Sequence, residues 1–136
     1  MKIFKDIDIE REESSIAFLI EEALEVKANF ANKGQNVLQI KPTIKNSYGV
    51  ITKENEITRY SVTLEVDYRL YNKKTEKTLL SNKVSATSDY SAAVTFTGFA
   101  TEIARNDTYE RLANTVAEEI ITDILIVNIL IFNMLP

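Results

Sequence analysis

Basic side chains are the residues of this sequence best suited to binding a ligand. Lys73 and Lys74 stand in the polar turn NKKTE, Lys77 follows it, and Lys53 and Arg59 flank the start of the preceding apolar alternation. Two neighbouring ammonium groups can hold a phosphate or another anion. Charge at an exposed turn also serves solubility alone. Arg59, Lys73 and Lys74 are therefore the candidate anion ligands, and a solubilising turn is the alternative.

The chain contains no histidine and no cysteine. Their absence removes thiolate nucleophiles, Ser-His and Cys-His pairs, the usual zinc sites and the common near-neutral general base. Asp6, Asp8 and Glu10 alternate near the N-terminus, but no glycine-bearing calcium loop follows them. We predict no catalytic residue, no cofactor and no metal site, and hence not an enzyme.

Length and charge indicate one domain, 1–136, that does not bind nucleic acid. A chain of 136 residues can bury a core without disulfides, and a net charge of −4 is unsuited to neutralising phosphate backbones. The start, MKIFKDIDIE, lacks the basic and apolar regions of a signal peptide. Any targeting segment is therefore expected upstream of Met1.

The stretch TRYSVTLEVDYRLYN, residues 58–72, alternates apolar and polar side chains. Alternation of apolar and polar side chains with a period of two residues predicts a strand with one buried and one hydrated face. The strand would be about 45 Å long at about 3.3 Å per residue. The hydrated positions include Arg69 and Tyr71, which we expect to contact a partner. A polar turn at 72–76 and a second alternating run, Thr78 to Tyr90, predict an antiparallel hairpin.

The remaining elements complete a β-α-β-β-β-α order. Lys2 to Glu10 alternates like a strand, a helix is expected from Ser14 or Ser15 to Gly34, and 37–44 is a strand with an edge or bulge at Pro42. Gly49 suggests a further bend. Helical spacing then runs from Thr97 to Leu125. We predict an α/β (α+β) two-layer sandwich, with two helices packed on one face of a four-stranded mixed sheet and the other face bare.

The end of the chain, LIVNILIFNMLP, is apolar. The run from Ile120 to Leu135 contains Thr, Asp and Asn residues and is shorter than the roughly 20 apolar residues of a membrane-spanning helix. Residues 126–136 are expected to form a tail that either packs on the core or contacts a partner, with Ile129 and Phe132 as candidate contact residues.

Several segments resemble the LptE family of lipopolysaccharide-assembly lipoproteins. They are ITRYSVTLEVDYRLYN, a strand ending SATSDYS, the helix FATEIARNDTYERLANTVAEEIITDIL and the opening IDIEREESSIAFLIEEAL. The positions that match the family pattern are Arg59, Tyr68, Tyr90, Phe99, Ala100, Ala104, Asp107, Arg111, Leu112 and Ala113. Thr108 departs from the pattern, because family members tend to carry a small apolar residue there.

This resemblance implies a specific role. Family members lie on the periplasmic side of the Gram-negative outer membrane, anchored by a lipidated cysteine, which here must lie upstream of Met1 or be absent. They plug the β-barrel translocon LptD, assist its assembly and are taken to bind lipopolysaccharide. The family fold, two helices on a four-stranded sheet, agrees with the architecture predicted above. Arg59, Lys73 and Lys74 are our candidates, by their chemistry, for contacting lipid A phosphates.

Two other classes of function are alternatives. An auxiliary lipoprotein of a periplasmic lipid-export ABC system is the alternative binding role, because such domains share a similar order of helices and strands. An enzyme is the third, and the absence of histidine and cysteine weighs against it.

Overall fold

A computed structural model describes residues 2–30, 34–52, 57–93 and 98–134. In chain order the elements are α1 (Lys2–Lys5), β1 (Ile7–Arg11), α2 (Ser15–Ala28), β2 (Asn36–Thr52), β3 (Ile57–Asn72), β4 (Thr78–Ala93) and α3 (Gly98–Met134). The main elements follow the predicted β-α-β-β-β-α order, and α1 is an additional short helix.

The sheet has the strand order β1-β2-β3-β4. β1 pairs in parallel with β2, so that α2 is the crossover between them, and the other two pairings are antiparallel. The predicted mixed sheet and the predicted β3–β4 hairpin are confirmed. At about 3.3 Å per residue the 16 residues of β3 extend about 53 Å.

The alternation of β3 divides the molecule into two layers. Its even-numbered side chains from Val62 to Leu70 are buried against the helices, and its odd-numbered ones face away. The buried set joins residues of α2 and α3 in one hydrophobic core. Removing these apolar surfaces from water is what holds the helices to the sheet.

Local capping determines where α2 begins and ends. Ser14 is the N-cap, and its hydroxyl oxygen accepts a hydrogen bond from the Ala17 N–H at 3.2 Å. The helix ends at Ala28, earlier than the predicted Gly34, because Asn29 adopts a left-handed conformation with φ of 52°. Asparagine tolerates that conformation, and its N–H donates to the Glu25 carbonyl at 3.0 Å.

The prediction of a strand from Lys2 to Glu10 is wrong for its first part. β1 begins only at Ile7, because its pairing partner β2 begins at the facing Asn36. Upstream of this pairing the chain forms α1, which buries Phe4 edge-on against Phe30 with ring centroids 5.1 Å apart.

β2 is longer than the predicted 37–44 because β3 supplies a pairing partner along most of its length. Pro42 lies just beyond Ile40, the last residue that pairs with β1, so it occupies a strand edge as predicted. The register shifts between Tyr48 and Ile51, which confirms the irregularity predicted near Gly49.

α3 is also longer than predicted and continues through the tail to Met134. Its 37 residues extend about 55 Å, which matches the length of β3. Lys27 of α2 pairs with Glu118 of α3 at 2.9 Å, and Ala23 lines the same groove as Ala113. The two helices therefore run in parallel. α3 runs antiparallel to β4, because Arg111 lies beside Thr87 and Ser88 whereas Asp123, further along α3, contacts Asn82.

Candidate functional site

The sheet surface opposite the helices is a continuous polar face, here called the polar sheet face. It is formed by outward side chains of β3 and of the strands on either side of it. The residues that make contacts on it are Glu10, Gln39, Lys45, Thr63, Glu65, Asp67, Arg69, Tyr71, Lys83 and Thr87.

Charged side chains on the polar sheet face pair across neighbouring strands. Lys45 lies 3.3 Å from Glu65, Lys83 lies 3.8 Å from Asp67, and the Thr63 and Thr87 hydroxyls are 2.8 Å apart. Each exposed pair contributes little to stability, about 0–1 kcal/mol. Their combined effect is a surface that is polar but has little local excess of either charge.

Arg69 and Tyr71, the predicted partner-contact residues, are held in place at one end of this face. The Arg69 guanidinium lies 4.4 Å from the Tyr71 ring centroid, and its Nε donates to the Thr78 hydroxyl at 2.7 Å. The Tyr71 hydroxyl donates to Glu10 at 3.0 Å. This hydrogen bond, together with partial desolvation, raises the pKa of Tyr71.

The hairpin tip, residues 72–77, is also ordered by its own hydrogen bonds. The Asn72 side-chain oxygen accepts from the N–H groups of Lys74 and Thr75 at 2.9 and 3.1 Å. Glu76 takes a left-handed conformation with φ of 58° that closes the turn. The tip is therefore a shaped loop that presents its lysines in a defined arrangement.

Lys73 is already engaged, because its ammonium forms an ion pair with Asp8 of β1. Desolvation acts to raise the pKa of Asp8, but hydrogen bonds from Lys73 and the Gly34 N–H outweigh it and the pKa is lowered. Lys74 and Lys77 are exposed and have no acidic partner among the described residues. They are the cations at the tip that are free to meet an anion.

The structure does not bring Arg59 together with the tip lysines. Arg59 pairs with Ser91 near the opposite end of β3, and fourteen residues of strand separate it from Lys73, about 46 Å. Its side chain and all of Lys53 lie outside the described residues. Arg59 and the Lys73–Lys74 pair therefore belong to two separate ends of the sheet and cannot share one phosphate.

A buried polar contact joins the helix layer to the sheet, and the sequence analysis missed it. Tyr68, only 2% exposed, donates its hydroxyl proton to Asp123 of α3, and Asn82 donates to the same carboxylate at 3.3 Å. Burial first, and then the bond to Asp123, raise the pKa of Tyr68. A tyrosine within an apolar stripe is the one sequence signal for such a contact, because its hydroxyl needs a partner when buried.

Thr108, the residue that departs from the family pattern, is fully buried. Its hydroxyl donates to the Ala104 carbonyl one turn earlier at 2.8 Å and accepts from Arg111 at 3.3 Å. Leu112 and Ala113, which match the pattern, are buried in the core. A threonine is therefore accommodated at this position without an unsatisfied polar group.

The last turns of α3 leave apolar side chains exposed. Ile126, Ile129 and Leu130 are 51%, 53% and 56% exposed and share one side of the helix. The Phe132 side chain lies outside the described residues. Within the described part of the chain, no helix is both long and apolar enough to span a membrane, and no group of three acidic side chains could hold a metal ion.

Comparison with known proteins finds one family model that matches most of the chain. A family model described as LptE, lipopolysaccharide-assembly, matches residues 12–124. This span runs from the end of β1 into the last part of α3 and includes the polar sheet face and the hairpin tip. No curated protein matches the sequence.

Solved structures share the fold at low sequence identity. A Caulobacter crescentus protein has a TM-score of 0.72 at 20% identity, with 98% of this chain and 95% of that chain covered. The rare lipoprotein B of Shewanella oneidensis has a TM-score of 0.68 at 13% identity, covering 92% and 97%. A minor lipoprotein of Acinetobacter baumannii has a TM-score of 0.63 at 13% identity, covering 89% and 95%.

Proposed function

Because the chain belongs to the LptE lipopolysaccharide-assembly family, we propose that it is a non-catalytic plug and assembly partner of the LptD β-barrel translocon. In this role it acts on the periplasmic side of the outer membrane, held there by a lipid anchor outside the present sequence. The resemblance found in the sequence analysis is thus confirmed at the level of the family, and the barrel partner and the location are parts of the proposal.

The polar sheet face is the observation that carries this proposal. It lies on a three-strand body about 50 Å long, and two ion pairs, Lys45–Glu65 and Lys83–Asp67, join neighbouring strands across it. A polar surface of this kind suits the water-lined interior of a barrel, because its two ion pairs carry their own compensation and its unpaired cations can stay hydrated there. Arg69 and Tyr71 are the proposed contacts at its hairpin end, and Ile129 and Phe132 are those at the end of α3.

Lipopolysaccharide binding is assigned to the hairpin tip as part of the same proposal. Lys74 and Lys77 are exposed and free of acidic partners among the described residues, whereas Lys73 must leave Asp8 before it can bind a phosphate. Arg59, at the far end of β3, would need a separate ligand group. The tip therefore provides a small cationic site for one phosphate group.

The barrel partnership is tested by co-expression with LptD from the same organism and affinity capture in detergent, with and without residues 126–136. Stable one-to-one capture of the full chain supports the plug role. Loss of capture on truncation assigns the tail to the interface. A folded chain that captures no LptD contradicts the proposal and favours the lipid-export ABC alternative.

The phosphate site is tested by lipopolysaccharide binding to Lys74→Ala/Lys77→Ala. Exposed charge pairs contribute about 0.2–1 kcal/mol each, so loss of two predicts an affinity about two-fold to thirty-fold weaker. The matched control, Lys41→Ala/Lys45→Ala, removes the same charge from the polar sheet face. Equal losses in both variants would show that only net charge matters and would contradict a site at the tip.

A further inference from the structure

β4 is a free edge of the sheet. Its 16 residues pair with β3 on one side, and no backbone hydrogen bond to its other side occurs in the described part of the chain. In an antiparallel sheet, alternate residues of an edge strand direct their N–H and C=O groups outward. Such a row of unpaired groups is a template for another strand.

The second free edge of the sheet shows what protection against such pairing looks like. Beyond Ile40, β2 has no strand beside it on the β1 side among the described residues, and this edge carries Pro42, two lysines at 41 and 45, and a bulge after Tyr48. Proline, lysine and bulges are the usual means of preventing edge pairing. β4 has no proline or glycine, and its charged side chains are limited to Lys83 and Asp89.

Lys83 and Asp89 lie at equal distances from Ala86 and have opposite charge. We propose that the free edge of β4 pairs antiparallel with the same edge of a second copy of this chain, about a two-fold axis at Ala86. In this register Lys83 faces Asp89 of the second copy, and Asp89 faces its Lys83. Between them, Ser85 faces Thr87, so the opposed positions from 83 to 89 on this side are complementary, with Lys83 placed between Asp67 of its own copy and Asp89 of the other.

α3 lies along the same free edge of β4. Along the free edge, Arg111 lies beside Thr87 and Ser88, whereas Glu118 and Glu119 lie beside the segment 82–85. A two-fold axis at Ala86 exchanges these two segments. It therefore brings Arg111 of each copy, which pairs with Asp107 of its own helix, toward Glu119 of the other copy, whereas Glu118 is held by Lys27 of α2.

This homodimer extends the four strands of each copy into one continuous sheet. It concerns the free chain and does not depend on the proposed role with LptD. Its test is the molar mass of the purified chain by light scattering across a concentration series. Twice the monomer mass supports the proposal, and a monomer at every concentration overturns it.

The register is tested by a charge exchange. In Lys83→Asp alone or Asp89→Lys alone, like charges face each other at both symmetry-related positions of the homodimer. The dissociation constant of each variant homodimer should therefore be about tenfold higher than that of the wild type. Mixed together, the two variants restore both opposite-charge pairs and should form a heterodimer. Folding of each variant is verified by circular dichroism. Folded variants that do not associate more strongly when mixed than alone would overturn the register.

A cross-link provides a second readout, because the chain has no native cysteine. Ala86→Cys places two cysteines directly opposite at the axis, within the distance of a disulfide. Ser81→Cys is the control, since its two copies would lie ten residues apart, about 34 Å. Oxidation should link the first variant and leave the second monomeric on denaturing gels. Equal linking of both, or of neither, would contradict the axis.

Discussion

Replacement of Tyr68 by phenylalanine isolates the buried contact between the sheet and α3. The hydroxyl of Tyr68 donates to Asp123, and hydrogen bonds to charged groups contribute about 1.5–3 kcal/mol. Asp123 is half-buried and keeps its bond from Asn82, so water and Asn82 compensate for part of the loss. We expect Tyr68→Phe to lose about 1–2 kcal/mol of unfolding free energy at pH 8.

The pH dependence of the stability difference separates loss of this hydrogen bond from a simple packing defect, because a packing defect would not change with pH. The pKa of Tyr68 is raised in the folded protein, so above pH 10 the unfolded chain loses this proton while the folded chain keeps it. Deprotonation then favours unfolding of the wild type by at most about 1.4 kcal/mol per pH unit. Tyr68→Phe lacks this contribution, and its stability deficit should shrink between pH 10 and 11.

Urea denaturation followed by circular dichroism at pH 8, 10 and 11 measures both effects. Tyr109→Phe is the matched control, because the Tyr109 hydroxyl makes no hydrogen bond within the described residues. We expect that variant to match the wild type at pH 8 and, because it keeps Tyr68, to lose stability between pH 10 and 11 as the wild type does. A Tyr68→Phe variant as stable as the wild type at pH 8, or one whose deficit does not change with pH, would refute the reasoning.

Three further predictions concern the core and the hairpin tip. Gly34→Ala should lose about 1–3 kcal/mol in urea, because the added Cβ would overlap the backbone just before β1; wild-type stability would contradict this. Leu64→Ala should lose about 2–5 kcal/mol, since the side chain is fully buried in a central strand, and a loss below about 1 kcal/mol would contradict it. Lys73→Ala should raise the pKa of Asp8 in an NMR titration toward its unfolded value, so that less stability is lost through this group on acidification; an unchanged pKa would contradict the ion pair's role.

The periodicity of apolar residues predicted the two-layer fold, because the core consists of side chains that recur at strand spacing in β3 and at helical spacing in α2 and α3. The even-numbered side chains of β3 are buried as their alternation indicates, and the apolar spacing of α2 and α3 identifies the helix faces that cover them. The predictions from sequence are wrong where the structure of a segment depends on the element that packs beside it or on a local backbone conformation. Lys2–Lys5 alternates like a strand but has no pairing strand in the part of the chain that the structure describes, and Asn29 ends α2 through a backbone conformation that the helical spacing does not reveal.

The candidate site was only partly predictable for the same reason. The lysines of the turn are recognisable in sequence, but the commitment of Lys73 to Asp8 depends on the position of β1 beside the tip. Likewise, Tyr68 and Asp123 are 55 residues apart, and only the packing of α3 on the sheet brings them together. Contacts of this kind arise from tertiary geometry, which local patterns do not encode.

The most direct test of the barrel role is the accessibility of the polar sheet face in the complex. Lys41 is exposed on this face, opposite Asp67, and the chain has no native cysteine, so Lys41→Cys provides a single thiol there. Its reaction rate with a maleimide is measured in the free chain and after capture by LptD. The plug role predicts a much slower reaction in the complex, whereas capture with an unchanged rate would contradict placement of the polar sheet face against the barrel wall.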